Sequence, residues 1–122
     1  MRIGVPREIK DQEYRVGVTP AGVQLLVADG HEVHVEVNAG AAVGFDDAAY
    51  QAAGARLVAT AAQAYAADLV IKVKELQPVE FALTQPAQIL FCYQHLAPAP
   101  LLLAAMLDRR ISCLAYETVN AA

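Results

Sequence analysis

The chain has 122 residues, 57% of them hydrophobic and 18% charged, with a mean hydropathy of +0.34 and a formal net charge of −4. That length suits one domain and not two ordinary ones, and its acidic and basic residues are interspersed, so no basic stripe exists to neutralise a phosphate backbone and nucleic acid is excluded as a partner. No apolar stretch reaches the roughly 20 residues that a bilayer span needs, because Asp68, Lys72, Lys74 and Glu75 interrupt the best candidate.

The opening MRIGVPREIK runs straight into a strand and then into further charges, with no apolar signal-peptide core, and reads as cytoplasmic. Arg2 to Pro6 is the first predicted strand. Thr19, Pro20 and Gly30 then bracket a helix with an N-cap, a first-turn proline and a C-terminal glycine, and Val23, Leu26 and Val27 form its buried stripe. Glu32 to Val37 alternates polar and apolar as a half-buried strand does, and Asp46 to Ala53, followed by Gly54, reads as a second helix. Arg56 to Val58 is a third strand, Thr60 to Ala67 an alanine-rich helix, and Leu69 to Val73 a fourth strand. Pro78 to Leu83 predicts a turn of helix, Gln88 to Tyr93 a fifth strand, Pro98 to Leu107 a helix and Ile111 to Tyr116 a sixth strand.

Regular strand–helix alternation predicts an α/β fold: a three-layer sandwich with a mainly parallel sheet and right-handed crossovers, of Rossmann-like or flavodoxin-like type. There is no internal repeat, low-complexity tract or linker. The last strand runs into TVNAA without a closing element, so residues 1–122 read as part of a longer domain. Cys92 and Cys113 lie inside apolar runs, where a free thiol behaves as a small hydrophobe, and without a Cys-x-x-Cys or Cys/His cluster neither a disulfide nor a metal site is expected.

Three segments place a polar residue at or just behind the end of a predicted strand or loop: Arg15 in EYRVGVTP, Lys74 in LVIKVKE and His95 in QILFCYQHLA. In an open parallel sheet, ligands sit in the crevice beyond the carboxyl ends of the strands, so these three are expected to converge on one site for a small oxo acid. Arginine grips a carboxylate through two parallel hydrogen bonds. An ammonium stabilises negative charge developing on a carbonyl oxygen, and imidazole exchanges protons near neutrality.

Plainer readings stand beside these. Arg15 can be a loop cation paired with Glu13 or Glu8. Lys72 and Lys74 share a strand face by period-two geometry, so one of them can cap a sheet edge or snorkel. His95 can be a structural histidine at a strand end, as His31 and His34 are expected to be on or beside a half-exposed strand, while Tyr93 and Gln94 either line the pocket or belong to the core.

The stretch GVPREIKDQEYRVGVTPAGVQLLVADGHEV resembles the N-terminal signature shared by alanine dehydrogenases and the α subunit of pyridine nucleotide transhydrogenase, and LVIKVKE, HLA and AYETV look like alanine dehydrogenase. The resemblance covers the whole chain. It implies that Arg15 and Lys74 bind the oxo acid and that His95 is the acid and base, with Lys74 also catalytic, in the reversible deamination of L-alanine to pyruvate and ammonia by an NAD-dependent homo-oligomer. A saccharopine-dehydrogenase-like enzyme and a transhydrogenase-like module are the alternatives, although transhydrogenases generally lack the lysine and histidine in this setting. Gln12 stands where asparagine is usual, Gly17 where alanine is common and Ala28 where a polar or basic residue is found, and Leu76 and Gln77 displace the proline that often follows KVKE.

No Gly-x-Gly-x-x-Gly occurs in the chain, and that turn is what lets backbone amides approach a dinucleotide pyrophosphate. Gly40 and Gly44 in NAGAAVG have the wrong spacing and are read as lacking a preceding buried strand. No cofactor-binding residues are therefore assigned. NAD is expected to be held by a Rossmann domain outside these residues, which leaves the isolated chain catalytically silent.

Overall fold

The computed structural model describes residues 1–92 and the strand Ser112–Ala115. Strands β1 (Arg2–Val5), β2 (Glu32–Glu36), β3 (Arg56–Val58), β4 (Leu69–Ile71), β5 (Ile89–Cys92) and β6 (Ser112–Ala115) form one sheet in the order β3-β2-β1-β4-β5-β6, each pair parallel. This is the Rossmann order, the first of the two doubly wound arrangements the sequence left open. The helix predicted from Pro98, the residues Tyr93, Gln94 and His95, and the terminal segment after β6 lie outside the described residues.

Helices cover both faces. Helix α1 (Pro20–Ala28) and α2 (Asp47–Ala52) pack on one face, where Ile3, Val5, Val23, Val33, Val35 and Tyr50 form a core. Helix α3 (Ala61–Tyr65) and the 3-10 segment Pro78–Leu83 lie on the other, over Tyr65, Val70, Leu76 and Leu90. Chain entry into each helix follows the sequence signals. Thr19 caps α1 ahead of Pro20, Asp46 caps α2, and Thr60 with Gln63 forms a capping box on α3. Leu76 is buried and Gln77 caps the 3-10 segment with Glu80, so both residues that replace the usual proline have structural roles.

Two expectations need correction. Strand β2 alternates as predicted, but its polar face is covered: His34 and Glu36 are buried beneath α3, and His34 Nε2 is 2.9 Å from Glu32 Oε1. The NAGAAVG segment therefore does follow a buried strand, and only its glycine spacing argues against a phosphate turn. Strand β4 ends at Ile71 rather than Val73. Lys72 N still donates to Phe91 O at 3.1 Å, but the next two amides, of Val73 and Lys74, turn to the Glu8 carboxylate at 2.9 and 3.1 Å.

Close layer contact is bought by small residues. A methyl group on Gly4 would lie 1.8 Å from the carbonyl oxygen of Ala64, so the alanine-rich α3 can rest on β1 only if that position is glycine. Helix α3 stops at Tyr65, two residues before its predicted end, where the buried Gln88 side chain donates to the carbonyls of Tyr65 and Ala67 at 2.7 and 2.8 Å. That side chain satisfies the carbonyls a helix leaves open at its C-terminus.

Candidate functional site

Strands β1 and β4 are neighbours, yet the chain leaves β1 toward β2 and leaves β4 toward β5. The loops after them diverge and open a crevice at the carboxyl ends, the topological switch point where ligands bind in open α/β sheets. The loop after β1 carries Glu8, Glu13 and Arg15, and the loop after β4 carries Lys72 and Lys74.

Buried carboxylates fix both loops. Glu36, at the end of β2, accepts from Arg7 N at 2.8 Å. Glu8 accepts from Val73 N, Lys74 N and Lys72 Nζ, the last at 3.1 Å, and so staples the first loop to the second. Lys72 is 1% exposed and lies in a central part of the sheet, so it neither caps an edge nor snorkels. Its ammonium also reaches Glu80 at 3.6 Å and donates to Lys74 O at 2.6 Å. Burial pushes the Glu80 carboxyl up, against the lowering influence of Lys72, and Tyr65 donates its hydroxyl to Glu80 Oε2 at 3.0 Å. Burial likewise drives the Tyr65 phenol well above its ordinary range.

On this support sit the two cations the sequence singled out. Arg15 donates from Nε to Glu13 Oε2 at 3.0 Å and from Nη2 to Glu13 Oε1 at 2.9 Å, a side-on fork. Lys74 Nζ lies 3.9 Å from the same Oε1. The plainer reading of Arg15 as a partner of Glu13 thus holds, and the same carboxylate stands between Arg15 and Lys74. The side chain of Glu13 is 5% exposed, that of Lys74 30% and that of Arg15 60%. Hydrogen bonds from Arg15 hold the Glu13 carboxyl below the usual carboxylate range.

The segment 10–15 and Lys74 line a hollow of about 460 Å³, and Arg15 and Glu13 also border a second of about 330 Å³ with Arg7, Glu8 and Asn38. Lys10 pairs with Glu75 across the two loops. A larger hollow, about 920 Å³, lies at the amino ends of the strands around Met1, Arg2, Glu32 and Asp68, away from both cations. Gln12, in the first loop, takes the left-handed conformation with φ 62°. Of the three predicted site residues, Arg15 and Lys74 come together, while His95 lies outside the described residues, beyond the end of β5 at Cys92.

Sequence reasoning missed Glu8, Glu13 and Lys72 as parts of the site. The signal for Lys72 was present, since a parallel strand in a doubly wound sheet is buried on both faces and a lysine at its end needs a carboxylate partner. Glu8 and Glu13 were legible only as plain ion-pair partners for Arg15, and nothing in their spacing shows that either carboxylate is buried.

Residues 4–122 match the family described as alanine dehydrogenase/PNT, N-terminal domain. The chain belongs to that family. It is 50% identical over 123 residues to an alanine dehydrogenase of Methanococcus maripaludis, covering 100% of this chain and 33% of that protein. An alanine dehydrogenase of Bacillus subtilis is 46% identical over 98% of this chain and 32% of its own length. Among solved structures, an L-alanine dehydrogenase superposes with a TM-score of 0.94 at 46% identity, over 96% of this chain and 32% of that one. A transhydrogenase from Sinorhizobium meliloti superposes with a TM-score of 0.88 at 26% identity, over 94% of this chain and 34% of that one. The chain therefore spans about a third of the length of these relatives.

This alanine dehydrogenase/PNT N-terminal domain has a Rossmann strand order. Helix α1 opens on Pro20, which has no N–H, and the Thr19 hydroxyl already accepts from Gly22 N at 3.1 Å, so the start of this helix offers fewer amides than a phosphate-binding turn does. The same crevice presents two cations instead, a guanidinium and an ammonium, which suit a small carboxylate. No described helix is long and apolar enough to cross a membrane.

Proposed function

We propose that residues 1–122 form the N-terminal part of the substrate domain of an NAD-dependent L-alanine dehydrogenase, which interconverts L-alanine with pyruvate and ammonia. The observation that carries this reading is the convergence of Arg15 and Lys74 on one hollow at the switch point, held by loops that follow different strands. The hydride acceptor in this reading is NAD, bound by residues outside this chain. We assign the reaction to the cytoplasm, and the exposed Leu25 and Val79 support assembly as a homo-oligomer.

Arg15 grips the substrate carboxylate. The fork that Nε and Nη2 make with Glu13 fixes the plane of the guanidinium, so a planar carboxylate would be received with orientation as well as charge. Lys74, fixed through its own backbone N–H by Glu8, directs an ammonium at the carbonyl oxygen of the 2-oxo acid and stabilises the charge that develops there when the carbonyl is attacked. His95 takes up the proton that must leave as ammonia or water adds and returns it to the departing group in the reverse direction. The transhydrogenase likeness reflects a shared fold, and the paired cations favour an oxo acid over nucleotide binding alone.

Titration of the chain with pyruvate, followed by NMR of the arginine, lysine and histidine side chains, tests the site. Saturable shifts are expected in the wild type, with affinity falling about 10- to 100-fold in Arg15→Ala, the range given by a charge-assisted hydrogen-bonded pair. A wild type without any response would overturn the reading. In the same preparation no NADH is expected from L-alanine and NAD.

A further inference from the structure

The motif LVIKVKE carries two lysines, and the oxo-acid reading uses only the second. Lys72 follows the last residue of β4 and keeps its amide on Phe91 O, while its side chain runs into the interior and borders neither hollow at the carboxyl ends of the strands. Lys74 reaches the crevice. The buried ion pair grips the main chain on both sides of that second lysine. Glu8 Oε1 accepts from Lys74 N at 3.1 Å, Lys72 Nζ donates to Lys74 O at 2.6 Å, and Lys72 Nζ lies 3.5 Å from Glu75 O. Lys72 and Glu8 are themselves joined at 3.1 Å, with both side chains 1% exposed. The peptide planes before and after the Cα of Lys74 are thus held by the two halves of one salt bridge. Because each peptide is planar, holding both planes fixes the two backbone torsions at Lys74 and the direction in which its side chain leaves the chain.

We propose that Lys72, paired with Glu8, is a positioning residue that aims the Lys74 ammonium into the crevice. The proposal rests on the oxo-acid reading above and adds to it the device that holds its lysine. A buried salt bridge is a poor source of stability, since well-packed apolar residues of similar volume often serve as well or better, so its presence under the crevice calls for another role. An ammonium suits that role because its three donors point in different directions, here toward a carboxylate and toward the carbonyls of Lys74 and Glu75. Methionine at the same place would fill the space and leave the Lys74 carbonyl unheld. The two lysines of the motif then have separate tasks, one facing the ligand and one holding the first.

The test is a double-mutant cycle on pyruvate affinity, read by NMR titration of the wild-type chain, Lys72→Met, Lys74→Met and the double variant, each shown to be folded by far-UV circular dichroism. Lys74→Met should weaken pyruvate binding about tenfold or more, the loss of one charge-assisted hydrogen bond. Lys72→Met should weaken it about three- to tenfold while Lys74 is present, and by less than about twofold once Lys74 is methionine, because no ammonium is left to aim. General loosening of the fold, or loss of a positive field beneath the crevice, acts in both backgrounds alike. Equal losses in the two backgrounds would therefore overturn the proposal, as would an unchanged affinity in Lys72→Met. Glu8→Gln, taken through the same cycle, decides the matter should Lys72→Met not fold: its effect should likewise shrink when Lys74 is methionine, and additive losses would overturn the proposal. A wild type that does not bind pyruvate would remove the oxo-acid reading and this role together, whereas binding by the wild type with additive losses removes this role alone.

Discussion

Replacing Lys72 by methionine keeps the buried aliphatic stem and deletes only the ammonium. That charge is shared between Glu8 at 3.1 Å and Glu80 at 3.6 Å, all three side chains being 3% exposed or less. Breaking a buried ion pair by removing one partner costs about 3–5 kcal/mol. The low end applies, because Glu8 keeps the amides of Val73 and Lys74 and Glu80 keeps Gln77 N and the Tyr65 hydroxyl. A loss of about 3 kcal/mol at pH 7 is therefore expected, seen as a urea midpoint lower by roughly 1.5–2 M for an m-value of about 1.5–2 kcal/mol/M. With no tryptophan in the chain, far-UV circular dichroism is the suitable signal. The pH dependence adds a second check. Burial raises the Glu80 carboxyl in the folded chain above its unfolded value, so the folded state binds that proton more tightly; the resulting support is present below the unfolded value and is lost as pH rises through the folded one. Without Lys72 to oppose it, Glu80 titrates higher still, and the gap between variant and wild type should narrow as pH is lowered from 7 toward about 5. A loss under 1 kcal/mol at pH 7, or a gap that widens on acidification, would refute the argument that Lys72 is the counterion of a buried carboxylate pair.

Gly4→Ala should cost about 3 kcal/mol or more, since the added methyl meets the Ala64 backbone rather than a side chain that can swing aside; thermal unfolding beside wild type measures it. Gln12→Asn should stabilise by about 0.5 kcal/mol, because asparagine tolerates the left-handed conformation at φ 62° better than glutamine does, and an unchanged urea midpoint would count against strain at that residue.

Much of the fold was legible because its signals are local. Thr19–Pro20, Asp46 and Thr60 mark helix starts by side-chain chemistry that acts within one turn, and the three α-helices of the described residues begin there. Strand ends were less legible. β4 stops at Ile71 because Glu8, remote in sequence, takes the amides that would have continued the ladder. The polar face of β2 looked exposed for a similar reason, as its cover is a later helix and the partner of His34 is Glu32, which a two-residue spacing on one strand does not advertise as burial. Arg15 and Lys74 could be named from their positions after predicted strands, and the switch point then explains why they meet. What joins them, the Glu13 and Glu8 carboxylates, was legible only as a pairing option for Arg15, since a glutamate in a charged loop reads as solvated until the strand order is known.

The way Glu8 grips the second loop also separates two properties that are usually entangled. It holds the main chain of Lys74, through the peptide N–H, and leaves the lysine side chain to the crevice. Any residue other than proline at that position presents the same peptide N–H, so exchanging Lys74 for methionine, glutamine or arginine alters what the crevice offers a ligand while the anchor beneath stays fastened. Such a series also removes the 3.9 Å contact with Glu13 on the first loop, so it reads ligand chemistry and that one contact together while the main-chain anchor is held constant.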